Sequence, residues 1–216
     1  MKRYFSVIAL ALIASISLTG AERKYDVASP DGTVFGQGGA PKKVTRSKVD
    51  NVLDATFYKK SKVVEKYNEL AFTFKTYKLI FRVYDAGVAY RFESLKKGEY
   101  QVVRETANFA FPGDWNVWVP YVKTQEHSWD NQFFNSFENL YEYCALSAWD
   151  KQRYAFLPVM FAVPCGYKVN IMESDLTSYP GMYLSNTDGD SSVEAKFAPY
   201  PKKVEQGGGF AARLTR

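Results

Sequence analysis

Cysteine and histidine are almost missing from this chain: two Cys and one His in 216 residues. So few thiols exclude a disulfide scaffold, and without a Cys-x-x-Cys pair there is no zinc-ribbon spacing. His127, far in sequence from both Cys144 and Cys165, leaves no partner for a Cys/His or Ser/His/Asp nucleophile. Glycine, at 14 residues, is too scarce for a collagen-like or low-complexity chain. Charge of one sign is also lacking. The surplus is only +5, and the basic pairs Lys42-Lys43, Lys59-Lys60, Lys96-Lys97 and Lys202-Lys203 are scattered, which is the pattern of solvated turns and sheet edges. A nucleic-acid partner would demand a clustered basic face, so none is expected.

Long apolar runs are missing too, with one exception. Met1-Lys2-Arg3 is a basic start, Phe5 to Leu18 is apolar except for serines, and Thr19-Gly20-Ala21 offers small residues for a signal peptidase. The run is shorter than the ~20 residues of a spanning helix. Residues 1–21 therefore read as a cleaved export signal, with a periplasmic or secreted mature chain and no membrane span after its removal. Taking Lys2 and Arg3 off a surplus of five leaves +3. Export gives the cysteines two readings that stay open, a Cys144–Cys165 disulfide and two small buried hydrophobes.

What the chain has in quantity is aromatic residues: 16 Tyr, 16 Phe and 4 Trp. Such side chains pack well on a pleated surface and favour strands. Residues 22–62 are poorly patterned, with Ser29-Pro30-Asp31-Gly32 a turn and Gly36 to Pro41 unfit for the interior of any element. From Val63 onward the period is two. Leu70, Phe72 and Phe74 alternate with Ala71, Thr73 and Lys75, and Leu79, Phe81 and Val83 alternate with Ile80, Arg82 and Tyr84. Asp85-Ala86-Gly87 separates this from Val88, Tyr90 and Phe92, which predicts a hairpin.

Further strands are expected at Tyr100–Glu105, Ala107–Phe111, Trp118–Val122, Tyr154–Val163 and Tyr167–Met172, with a last hairpin closed by Asp188-Gly189. Glu138 to Trp149 reads equally as helix, strand or irregular structure. Gly207-Gly208-Gly209 and Phe210 to Arg216 read as a linker or disordered tail. Strands without crossover helices predict an all-β, antiparallel β-sandwich.

Three groups of residues carry possible chemistry. Trp115, Trp118, Tyr121 and Trp129, followed by Phe133 and Phe134, can form a sugar-binding surface or fill the core. Asn186-Thr187-Asp188-Gly189-Asp190 has its Gly too early and no closing Glu for a calcium loop, so it reads as a turn. Glu173 and Asp175 end an apolar strand before Pro180-Gly181. Two carboxylates are a partial oxygen set for a hard cation that takes six to eight oxygens, and a solvated strand terminus is the simpler reading.

The strings Phe81-Arg82-Val83-Tyr84-Asp85-Ala86-Gly87-Val88-Ala89-Tyr90-Arg91-Phe92 and Glu173-Ser174-Asp175-Leu176-Thr177-Ser178-Tyr179-Pro180-Gly181-Met182-Tyr183-Leu184, with Tyr67-Asn68-Glu69-Leu70, Glu105-Thr106 and Phe109 in order, resemble the N-terminal domain of glycoside hydrolase family 97. The resemblance runs from about Tyr67 to Pro201. It implies a β-sandwich of the super-sandwich type, here spanning 22–201 behind the 1–21 signal and ahead of a 202–216 tail. Members are exported bacterial enzymes, mostly from Bacteroidetes, that hydrolyse α-glucosidic or α-galactosidic bonds in a (β/α)8 barrel. The resemblance further implies a calcium ion, with Glu173 at the position of the one ligand supplied by the N-terminal domain and the remaining ligands in the barrel.

Only fifteen residues follow Pro201, and a barrel needs ~200 or more. The expectation is a chain without the catalytic barrel, a fragment, split-gene product or decayed paralogue, inactive alone and with no catalytic residue of its own. Its implied partners are an α-linked oligosaccharide and a barrel in cis or in trans. The alternative is a stand-alone carbohydrate-binding or structural sandwich without a metal role.

Overall fold

The computed structural model describes residues 4–8, 41–99, 105–123, 129, 131–174, 176, 179–199, 203–206 and 212–215, with 4–8, 203–206 and 212–215 as backbone alone. The strands are β1 (Tyr4–Ile8), β2 (Lys43–Asp54), β3 (Lys62–Thr73), β4 (Tyr77–Tyr84), β5 (Gly87–Ser94), β6 (Asn108–Ala110) and β7 (Asn116–Val119). They continue as β8 (Glu142–Ala145), β9 (Val159–Ala162), β10 (Lys168–Ser174), β11 (Met182–Ser185), β12 (Ser192–Phe197), β13 (Lys203–Gln206) and β14 (Ala212–Thr215). Short 3-10 turns occupy Asn131–Phe133 and Leu146–Ala148. Among the described residues there is no α-helix and no barrel.

Nine strands form one sheet in the order β2-β3-β4-β5-β1-β10-β9-β7-β8, and β11-β12-β6 form a second. All pairings in both are antiparallel. The hairpin read around Asp85-Ala86 is present, with Phe81 opposite Tyr90 and Leu79 opposite Phe92. These face the second sheet together with Phe72, which is opposite Leu79 on β3. The alternate positions carry the charge, with Arg82 donating to Glu69 at 2.9 Å and Lys78 pairing with Glu93 at 3.4 Å, around the buried row Ala71, Ile80 and Arg91. One apolar face and one charged face is what a two-layer antiparallel fold requires.

The layers meet through Phe161, Val117, Val119, Val159 and Ile171 on the large sheet and Leu184, Val193 and Ala195 on the small one, all at most 4% exposed. Phe111 and Phe161 stack at 4.2 Å. Each fully buried side chain of this kind contributes ~1.5–3 kcal/mol. Ala155 fastens the layers by backbone: it bridges Tyr121 on one side and Leu184 on the other, exchanging hydrogen bonds of 2.8 and 2.9 Å with Leu184.

Two local expectations change and one open reading resolves. The poorly patterned stretch contains a 12-residue strand, β2, whose side chains are nearly all exposed. Its ladder with β3 runs unbroken from Lys43–Thr73 to Asp54–Lys62, so backbone pairing rather than burial defines it and no apolar alternation marks it. Glu138 to Trp149 resolves into β8 and a 3-10 turn. In the stretch read as a tail, β13 and β14 form a separate two-stranded ladder, with Val204 opposite Leu214, because a glycine-rich spacer lets a chain fold back on itself. His127, Asp175 and most of the 1–21 and 22–40 segments lie outside the described residues.

Candidate functional site

Glu173 shares its strand face with Val169 and Ile171, two and four residues before it, which are 6% and 1% exposed. Side chains on a strand alternate between faces, so this parity aims the carboxylate between the sheets rather than into solvent. β9 pairs with β10 only as far as Ile171, so Glu173 sits just beyond the last β9 pair on the core-facing side. Burial without a partner would be costly, and a partner is present: Glu173 Oε1 accepts the N–H of Met182, the first residue of β11, at 2.5 Å. Oε2 is buried as well. A solvated strand terminus is therefore not what the fold builds.

The turn after β10 is shaped around this carboxylate. A Cβ placed on Gly181 would lie 3.4 Å from Glu173 Oε1, an ordinary van der Waals contact, so the turn passes directly against the carboxylate. Tyr179, two residues earlier, donates from its hydroxyl to Glu105 Oε2 at 2.8 Å and meets Phe197 edge to face at 6.3 Å. The segment 179–182 is thus held at both ends by carboxylates, one 74 residues away in the chain and one nine residues away.

Beside Met182, Tyr183 is buried in an aromatic group. Its ring meets Phe133 at 5.2 Å and Phe137 at 6.1 Å, and Phe133 in turn packs on Tyr154 at 5.2 Å. Burial raises the Tyr183 hydroxyl above the ordinary tyrosine value, an Asn135 hydrogen bond of 3.3 Å opposes the rise, and the Glu173 charge adds to it. Phe137 adopts φ 57, a left-handed conformation seldom taken by a large residue, and its N–H donates to Asn135 Oδ1 at 2.9 Å. The sequence reading did not single out Gly181, Met182, Tyr183 and Asn135 as site residues. The Pro-Gly turn directly after a carboxylate strand end was their only local signal.

The aromatic segment divides. Tyr121 is 2% exposed and accepts the Asp150 N–H at 2.8 Å, and Trp115 packs against the core through Phe111 at 5.2 Å. Trp118 instead meets exposed Tyr143 in a tilted contact at 4.5 Å, Trp129 stacks on Tyr154 at 4.7 Å, and Phe134 is exposed. Asn186 to Asp190 is a turn, with Asn186 Oδ1 accepting the Gly189 N–H at 2.9 Å and Gly189 at φ 73. Cys144 and Cys165 are both free thiols.

Among the described residues no three His, Cys, Asp or Glu side chains gather as a metal site. Glu173 nevertheless has the chemistry of a hard-cation ligand, a carboxylate with two oxygens. A depression of about 10 Å³ between Ile80, Arg82, Ala89, Tyr90 and Arg91 is far too small for a sugar.

Residues 16–208 match the family described as glycosyl-hydrolase 97 N-terminal. The chain belongs to this family. A retaining alpha-galactosidase of Bacteroides thetaiotaomicron is 42% identical over 180 residues, which are 82% of this chain and 27% of the relative. A glycoside hydrolase family 97 enzyme of Pseudoalteromonas sp. strain K8, solved with acarbose, shares the fold at TM-score 0.58 and 20% identity, covering 74% of this chain and 24% of its own. A variant of that enzyme with panose gives TM-score 0.55 at the same identity and coverage. The chain spans about a quarter of the length of these relatives. The all-β sandwich of the glycosyl-hydrolase 97 N-terminal domain is thus the architecture seen here.

Proposed function

We propose that this domain is the non-catalytic N-terminal part of a calcium-dependent α-glycosidase. It frames the sugar site and presents Glu173 to a metal whose other ligands, like the acid and base, come from a (β/α)8 barrel in cis or in trans. The observation that supports the reading is the placement of Glu173: core-facing at a strand end, tied to Met182 and lying against the turn at Gly181. Glycoside hydrolysis by either stereochemical course takes a pair of carboxyl groups flanking the scissile bond, and Glu173 is one, so the chemistry is assigned to the barrel. When bound, calcium supplies positive charge that stabilises negative charge developing on nearby oxygens. Glu173 contributes one oxygen ligand, the Met182 N–H orients its carboxylate, and Tyr179 and Glu105 fix the turn that carries Gly181.

The 42% identical relative is a retaining alpha-galactosidase, which supports α-galactosides over α-glucosides as the substrate class. The basic-then-apolar start supports export, with residues 1–21 removed and the periplasmic or secreted chain beginning at Glu22.

The test is hydrolysis of a nitrophenyl α-galactoside by the purified exported chain, alone and mixed with the barrel of the Bacteroides relative. The expected result is no turnover alone and a higher rate for the mixture than for the barrel by itself. Turnover by the chain alone that survives repurification and is lost on mutating one of its residues would contradict the proposal.

A further inference from the structure

The chain between the first 3-10 turn and β8 turns its apolar side chains outward. Phe134, Phe137, Tyr141 and, within β8, Tyr143 are all exposed, and Leu140 is 90% exposed. Between Phe134 and Tyr141 the only charge is Glu138. Single hydrophobes scattered over a surface need no explanation, whereas five within ten residues make a patch of the kind that a partner covers.

The fold fixes this loop with those side chains out. Asn139 Nδ2 donates to the Tyr121 carbonyl at 2.5 Å, and the Tyr141 hydroxyl donates to the Pro158 carbonyl at 3.0 Å. The loop is thus fastened to the residues that follow β7 and to the one that precedes β9. Asn135 works in both directions: its Oδ1 accepts the Phe137 N–H at 2.9 Å and its Nδ2 donates to the Tyr183 hydroxyl at 3.3 Å. Phe137 is held at φ 57, a conformation that persists in a large residue only where its surroundings impose it, and such positions cluster at binding sites. Its ring rests on Phe156 at 5.2 Å and Tyr183 at 6.1 Å. A surface fixed in advance loses little freedom when a partner covers it.

Resting on the reading of this chain as the N-terminal part of a glycosidase, we propose that residues 134–143 are the seat of the (β/α)8 barrel. Phe137 and Leu140 are its anchors, and the contact forms without calcium. Two observations favour this occupant. The chain spans about a quarter of the length of its relatives, which leaves the rest of each to supply the partner. The patch also adjoins the candidate site: Tyr183, on which Phe137 rests, follows Met182, the donor to Glu173. A barrel that shares a metal with Glu173 therefore comes within reach of the loop. A sugar is the weaker fit, since it selects aromatic faces ringed by hydrogen-bonding groups and Leu140 offers neither, whereas apolar area of this kind is what a protein interface buries. Apolar burial needs no cation, so the seat holds in the presence of a chelator.

The test is thiol labelling in a Cys144→Ser, Cys165→Ser background. Leu140→Cys probes the patch, and Tyr167→Cys, at an exposed position just before β10 and at the opposite end of that strand from Glu173, is the control. Each is labelled as this chain alone and joined to the barrel of the Bacteroides relative. The Leu140→Cys protein is expected to react at least ~10-fold more slowly when joined, with calcium or with chelator, while the Tyr167→Cys protein reacts equally in both forms. Leu140→Asp should keep the wild-type urea midpoint in the chain alone, because the side chain is exposed, and lower the first transition of the joined protein. Equal labelling of Leu140→Cys alone and joined would overturn the proposal. So would protection that needs calcium, that needs an added α-galactoside, or that appears in the chain alone as its concentration rises, which would assign the patch to the metal, the sugar or a second copy. Failure of the metal reading is seen separately, as calcium affinity unchanged by Glu173→Gln in the same joined protein.

Discussion

Glu173 Oε1 accepts the Met182 N–H, and through this one hydrogen bond the end of a central strand of the large sheet grips the first residue of the small one. The bond is charge-assisted and partly buried, so its loss is not compensated by water.

Truncation of Glu173 should therefore destabilise the fold whatever the metal does. Glu173→Ala leaves the Met182 N–H without its acceptor and is expected to cost ~1–3 kcal/mol in urea unfolding. Glu173→Gln keeps an acceptor of the same reach and should cost less than half as much. Equal losses for the two variants would mean that the hydrogen bond contributes nothing.

Gln132 supports the aromatic group from below. It is 2% exposed, its Oε1 accepts the Tyr154 N–H at 2.6 Å, and its Nε2 donates to the Gln152 carbonyl at 2.8 Å. Gln132→Leu fills the volume but orphans both backbone groups, for an expected loss of ~2–4 kcal/mol. A denaturation midpoint equal to wild type would count against this role.

The two thiols should differ in reactivity. Cys165 is exposed, whereas Cys144 is half-buried and burial pushes its thiol above the usual value. Iodoacetamide at neutral pH is expected to modify Cys165 first, and peptide mass mapping reads the order. A protein with no titratable thiol would instead be disulfide-bonded.

Alkaline pH should weaken the fold through Tyr121. Burial raises its hydroxyl far above the ordinary tyrosine value, and the hydrogen bond from the Asp150 N–H only partly offsets this. A pKa raised in the folded state gives stability that is complete below the unfolded value of ~10 and lost as pH climbs through the folded one. Melting temperature should fall above pH ~10, and less steeply in Tyr121→Phe, which at neutral pH costs ~1 kcal/mol for the lost acceptor. Parallel curves for the two proteins would argue against Tyr121 as the source.

Where burial imposes alternation, the sequence is readable: Leu79, Phe81, Tyr90 and Phe92 announce both strands of their hairpin because one face must be apolar. β2 was not legible, since Val52, Leu53 and most of its neighbours are exposed and only the ladder to β3 orders them. Of the candidate site, Glu173 came from a resemblance in motif, while its inward aim follows from a register set by Val169 and Ile171 that only pairing with β9 establishes. The partners of Tyr179 and Glu173 lie 74 and 9 residues away, and the first of these distances leaves no local trace.

The most direct test of Glu173 as a shared metal ligand is calcium titration by calorimetry of this domain joined to the Bacteroides barrel, as wild type and as Glu173→Gln. The expected result is calcium binding at least ~10-fold weaker in the variant, with α-galactoside hydrolysis falling in step and recovering partly at high calcium. Equal calcium affinity and equal activity in the two proteins would contradict the assignment and leave Glu173 as the carboxylate that fastens β10 to Met182.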